Sequence, residues 1–486
     1  MSDENNHGKP VTRRQFLAQG AMNGGLILLA PTLTSLLFKN AFAQSLGCAD
    51  LIVSSGRVPF ICVDLAGGSN IAGSNVMVGK QGGQKDFLTD YTGLGLPTTM
   101  RPQTGGITLN EEFGLAFHPD SGFLRGMLAT TTAATRACVD GAVFCVASND
   151  DTSNNPFNPS FWIAASGTRG GLSALGGSRT TESGGSSVVP PASYDPAFRP
   201  VLVSRPSDAV NLVQAGKLVT LLNAEKAAKV GKAIEKLSGS QLTAFSSMDL
   251  PTQVRELVRC GYINANSIAE KITPAVINPT LDPAVTQVFT NLANDGNQQK
   301  AATAAKLVLD GYLGASTIEM GGYDYHSGNR SDGEARDEAA GRMVGQMLEL
   351  AKAKNKPLMI YLYTDGSVYS DGTTDDSAAG RGKGVWTGDD GEKGATVLLV
   401  LRPSAPRSTS AIVRGNKRQV GWFREGGKIG VDRQATLVSN DVTSLARAVV
   451  GNYLALQGEE GRLSQVVGGD TFGSRLDEYL VFNKIT

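Results

Sequence analysis

Histidine is almost absent from this chain: among 486 residues only His7, His118 and His326 occur. A three-histidine dimetal centre therefore cannot be assembled from one chain once the leader carrying His7 is set aside. Charge of either sign is not in excess, with 45 basic and 45 acidic residues. Nothing in that balance favours nucleic acid, whose binders concentrate Lys and Arg on one face. No strand runs into a G-x-S-x-G nucleophile elbow and neither later histidine has an evident serine partner, which argues against a Ser-His-Asp hydrolase. Haem, flavin and iron–sulfur motifs are lacking too, so redox chemistry has no support. Cysteine is scarce: Cys48, Cys62, Cys138, Cys145 and Cys260 are an odd number and do not make a disulfide framework.

What is present begins with an address. A polar stretch containing Thr12-Arg13-Arg14-Gln15-Phe16-Leu17 is followed by an apolar run from Ala21 to Leu37 and by Ala41-Phe42-Ala43 at cleavage spacing. Residues 1–43 read as a twin-arginine signal peptide, with the mature chain starting at Gln44. The apolar run is short and glycine-rich for a membrane span. An uncut anchor helix is the alternative, and lipid attachment at Cys48 fits less well because Leu46 sits one place too late. Removing Lys9, Arg13, Arg14 and Lys39 with Asp3 and Glu4 leaves 41 basic and 43 acidic residues, a charge of about −2. The expected location is the periplasm or the cell exterior. Expected partners are a small-molecule ester, a glycan or an exported protein, with no nucleic acid and no membrane span after cleavage.

Five short apolar runs read as buried strands: Phe60 to Leu65, Ala142 to Ala147, Thr317 to Met320, Leu358 to Tyr363 and Thr396 to Leu401. Their unbroken apolarity suggests a parallel sheet covered on both faces. Helical patterns fall between them, with Ala339, Met343, Met347, Leu350 and Ala351 on one stripe of Asp337 to Lys352, and a second helix from Ala301 to Leu313 ending at Gly314. The fold expected is a doubly wound α/β sandwich. Residues 207–299 read as a helical insertion and 167–193 as a long Gly/Ser-rich surface loop, either a lid or a solvated connector. Cys138 and Cys145 flank a turn through Asp140-Gly141 and are candidates to pair, whereas Cys62 reads as a buried thiol.

Ligands of such sheets bind beyond the carboxyl ends of the strands. Asp64, Asp150 with Asp151, Asp324 with His326, and Asp365 all fall at or just after strand ends. Converging carboxylates repel one another unless a cation relieves them, so a metal site built from Asp64, Asp324, His326 and Asp365 is the economical hypothesis. Carboxylate and imidazole in Asp324-Tyr325-His326 suit zinc, manganese or iron; a solvent-exposed His in a turn is the alternative. His118, in Phe117-His118-Pro119-Asp120, reads as structural. Gly67-Gly68-Ser69-Asn70 offers an anion nest in which Ser69 and Asn70 take part, or simply a tight strand exit with capping polar residues.

With Asp64-Leu65-Ala66-Gly67-Gly68, Leu115-Ala116-Phe117-His118-Pro119 and Gly321-Gly322-Tyr323-Asp324-Tyr325-His326 in view, the chain resembles, over nearly its whole length, the exported bacterial family called domain of unknown function 1501. That family is similar to the alkaline phosphatase and sulfatase superfamily. The resemblance implies a three-layer alkaline-phosphatase-like sandwich and hydrolysis of phosphate or sulfate esters at metals on the sheet's carboxyl edge. It also exposes departures. Where the family shows S-E-F-G-R, this chain has Thr364-Asp365-Gly366-Ser367, and the G-T-D-H-G motif, expected near Gly382 to Trp386, lacks its Asp and His. The S-H-F element appears as Asn155-Pro156-Phe157 or Pro159-Ser160-Phe161, without a secure nucleophile, and no cysteine has the C-x-P-x-R context of a sulfatase. Two functions are expected: a binding or surface-assembly protein with a degenerate site for one divalent ion (Zn, Mn, Ca or Mg), or a metal-dependent ester hydrolase.

Overall fold

The computed structural model describes residues 56–102, 106–147, 158–168, 170–178, 200–213, 272–364, 366–425 and 428–485. The signal-peptide reading, the start at Gln44, Cys48, Cys260, Asp150, Asp151 and Asp365 lie outside them. Residues Ile52–Ala209 and Ala275–Thr486 form one compact unit, and the elements below belong to it.

In chain order the main elements are β1 (Phe60–Ala66), α1 (Gly122–Thr130), β2 (Val139–Cys145), α2 (Ser160–Ala165), β3 (Ser173–Gly177), β4 (Val201–Leu202), α3 (Gly296–Leu309) and β5 (Leu313–Gly321). There follow α4 (Ser331–Ala353), β6 (Leu358–Thr364), β7 (Val368–Tyr369), β8 (Gly388–Asp389), β9 (Ala395–Leu401), β10 (Gln419–Val420) and α5 (Val442–Ala455). Each of the five expected strands is present. They sit in one eight-stranded sheet of order β10–β2–β9–β6–β1–β5–β3–β4.

The sheet is mixed rather than wholly parallel. β1 runs parallel to β5 and β6, β5 to β3, β3 to β4 and β10 to β2, but β9 is antiparallel to both β2 and β6. Apolar runs report burial on two faces and say nothing of direction. The described residues between β6 and β9 contain no helix, and without a crossover helix two neighbouring strands pair antiparallel.

Helices cover both faces. Phe60, Cys62, Phe144, Tyr361 and Leu398 point to one side, where they form a core with Val449 and Tyr453 of α5. The Tyr453 ring meets Phe60 edge-on at 5.6 Å, and its hydroxyl donates to the Val58 carbonyl. α3 and α4 pack on the opposite face, α3 against β1 and β5, α4 against β6 and β9. Among the described residues no helix is long and apolar enough to cross a membrane.

Four local expectations need correcting. α4 starts at Ser331, well before Asp337, because its first turns bury an Arg330–Glu334 ion pair that apolar periodicity cannot register. α3 ends at Leu309, and Gly311 takes the left-handed turn (φ 79°), so Gly314 lies inside β5 and caps nothing. Residues 173–177 are a buried sheet strand, not surface loop. Asp140-Gly141 lies within β2, which starts just after Cys138 and ends at Cys145, placing the two roughly 20 Å apart at the usual rise per residue and too far to bond. Cys62 is buried as expected.

Candidate metal centre

Three segments meet at the carboxyl ends of β1, β5 and β6. The segment leaving β5 folds back over the exit of β1, where Tyr323 N–H donates to the Ala66 carbonyl at 3.2 Å. Close approach there requires glycine: Gly67 has φ 121°, and a Cβ on it would stand 2.7 Å from the Asp324 nitrogen. The next residue, Gly68, faces the other side of the site, its Cβ position lying 3.9 Å from Asp389 Oδ1. Asp389 itself is carried by the β7–β8 ribbon, where it pairs with Val368. A bridge between Asn329 and Trp386, and the Gly328 N–H donating to the Trp386 carbonyl at 2.7 Å, bring that ribbon against the segment holding His326.

The result is a group of three potential ligands, Asp324, His326 and Asp389, whose ligand atoms lie within 4.8 Å of one another. His326 Nδ1 is 2.5 Å from Asp324 Oδ1 and 3.1 Å from Asp389 Oδ1. Nδ1 is shielded from solvent and lies against both carboxylate oxygens. Three electron-rich atoms this close repel unless a proton on the imidazole or a cation between them relieves the repulsion. The two carboxylates carry charge −2, which one divalent ion balances, and their side chains remain 62% and 64% exposed, leaving coordination positions open. This cluster can hold a metal ion.

The other described sequence candidates are not among these three ligands. Asp64 is fully buried in β1, in register with Glu319 and Tyr363, on the same side of the strand as Cys62, and is not one of the three. Asp365 lies outside the described residues. Ser69 and Asn70 are buried at the strand exit: Ser69 N–H donates to Thr364 Oγ1 and Asn70 N–H to the Tyr325 hydroxyl, both at 2.9 Å, while Asn70 Oδ1 accepts from Ser74 Oγ at 2.5 Å. They tie loops together instead of facing solvent.

His118 is structural. Nε2 sits 3.1 Å from the Met100 carbonyl, Nδ1 accepts from Asp120 N–H, and burial with the nearby Lys383 charge pushes its pKa down to about 4. Ser160, in the less well matched Pro159-Ser160-Phe161, is fully buried between Thr317 Oγ1 at 3.1 Å and Cys62 Sγ at 3.4 Å. Burial pushes the Cys62 thiol up to about 12.

Sequence reasoning missed Asp389. It follows the segment in which the resembled family's Asp and His were sought, and its only local signal is the polar run Thr387-Gly388-Asp389-Asp390-Gly391. Compared with models of protein families and with curated proteins, the chain has no significant match.

Proposed function

We propose that this chain is an exported protein with an alkaline-phosphatase-like sandwich and a reduced, one-metal site, which binds an anionic ester, a glycan or an exported partner instead of turning it over. One observation carries this reading: the Asp324–His326–Asp389 cluster, in which Nδ1 of His326 lies against two exposed carboxylates. An imidazole beside two carboxylates suits zinc or manganese, whereas calcium and magnesium favour all-oxygen shells. A bound divalent ion supplies Lewis acidity and attraction for an anionic oxygen. The protein's residues contribute the rest: Gly67 lets the Asp324 segment close in, and the β7–β8 ribbon sets the position of Asp389. The absent Asp and His of the resembled family's G-T-D-H-G motif favour binding over turnover. The twin-arginine start and the family resemblance support export and the sandwich assignment.

Metal analysis of protein recovered from the periplasm tests the reading. One equivalent of zinc or manganese is expected, lost on Asp324→Ala with the fold retained; folded protein without metal rules it out. A second reading, metal-dependent hydrolysis of a phosphate or sulfate ester, is favoured by the open positions that the exposed carboxylates leave. Turnover of p-nitrophenyl phosphate or sulfate that disappears with Asp324→Ala would establish it.

A further inference from the structure

Tyr325 stands between two of the three proposed ligands, and while Asp324 and His326 turn outward its own side chain is buried. Its hydroxyl accepts from Asn70 N–H at 2.9 Å and donates to Asp337 Oδ1 at 3.1 Å. The other oxygen, Asp337 Oδ2, accepts from Asn75 Nδ2 at 2.7 Å, and Asn75 Nδ2 also reaches the Asn70 carbonyl at 2.6 Å. Asn75 Oδ1 in turn accepts from Ser121 Oγ and Phe123 N–H, at 2.7 and 3.2 Å. One carboxylate on α4 thus gathers the loop leaving β1, the segment leaving β5 and the start of α1.

We infer that Asp337 is a positioning residue for the proposed metal centre, holding the Asp324–His326 segment against the glycine loop through the Tyr325 hydroxyl. The inference rests on the one-metal reading above. Asp337 is 3% exposed and no ion pair to it is found among the described residues; Arg330, whose charge acts on it, is engaged by Glu334. An unpaired buried carboxylate is costly, so a merely space-filling position would be better served by an apolar residue. What only an ionised carboxylate offers here is two acceptors, one for each loop. Protonation would turn one of them into a donor and leave the Tyr325 O–H without an acceptor.

The groups around Asp337 are few. Glu334 and Arg330 share its helix, Tyr323 and Tyr325 face it from the segment after β5, and Asn75 and Gly122, both uncharged, face it from the loop after β1 and from α1. Arg125 and Lys383 pair with Glu334 and with Asp120. Burial raises the Asp337 carboxyl to about 7, whereas Glu334 is lowered to about 2 and Lys383 to about 8.

Amide hydrogen exchange of residues 321–326, measured without metal on the mature protein, tests the tie directly. Asp337→Asn and Tyr325→Phe are each expected to lose at least about tenfold in protection, and the double variant to lose no more than either. Tyr325→Phe keeps the ring and covers the case in which Asp337→Asn does not fold. Unchanged protection or additive losses overturn the inference. A zinc titration then separates the two claims. Binding weakened by about 10–100-fold in both variants is expected of a second-layer group, and a wild type that takes no zinc ends the metal reading while the exchange result still decides the role of Asp337.

Discussion

His326 Nδ1 and Asp389 Oδ1 stand 3.1 Å apart, brought together by the Asn329–Trp386 bridge and by no local sequence relationship. If these atoms share a cation, Asp389→Ala should weaken zinc binding by more than about 100-fold, since loss of an outer partner alone costs about 10–100-fold. Equilibrium dialysis against buffered zinc measures it. Equal affinity in the variant would remove Asp389 from the site.

Zinc should also stabilise the folded chain. At a free concentration of about 100 times Kd the expected gain is roughly 2.7 kcal/mol, read as a higher melting temperature that chelator reverses. Asp324→Ala should melt at the same temperature with and without zinc.

Gly67→Ala tests the close approach beneath the site. Its φ of 121° is unfavourable for any side chain, and the added methyl would meet the Asp324 backbone. A loss of about 1–3 kcal/mol is expected from the backbone alone, together with weaker zinc binding. Urea denaturation and a zinc titration check both; a variant as stable as wild type would mean that the loop relaxes freely.

Two buried groups make opposing contributions to stability between about pH 4 and 6.5. The folded state holds a proton on Asp337, raised from 3.8 to about 7, that the unfolded chain has released, so this term declines as pH rises through that interval. His118, lowered from 6.5 to about 4, behaves in the opposite sense: the unfolded chain holds the proton, and this term grows with pH. Each slope is about 1.4 kcal/mol per pH unit at most, so the wild type should be nearly flat there. Asp337→Asn should become more stable as pH rises across the window. Denaturation at a series of pH values reads the slope, and parallel curves for wild type and variant would dismiss the Asp337 contribution.

Peptide mapping without reductant should recover Cys138 and Cys145 as unlinked thiols, since a whole strand separates them. Burial raises the Cys62 and Cys145 thiols far enough that neither should react with a thiol reagent until the protein unfolds. Rapid labelling of native protein at Cys62 would contradict its place in the core.

The strands were legible because a sheet buried on both faces needs consecutive apolar residues, and Phe60 to Leu65 or Leu358 to Tyr363 can serve little else. Ser173–Gly177 was not legible: a strand of Ser, Ala, Leu and Gly is composed like a loop, and its neighbours in the sheet make it a strand. The pair Asp324 and His326 was legible because both follow one strand closely. Asp64 looked equivalent, yet it faces the same side of β1 as Cys62, into the sandwich, a matter of alternation along the strand.

By itself the sequence determined five of the buried strands and the apolar stripe of α4, since each of those choices is written in the spacing of a few neighbouring side chains. Only the tertiary structure decided that β9 runs backward, that Asp389 completes the cluster, and that Asp337 lies beneath it holding Tyr325. These outcomes depend on how segments far apart in the chain pack against one another, and residue type carries no record of a neighbour that arrives through the fold.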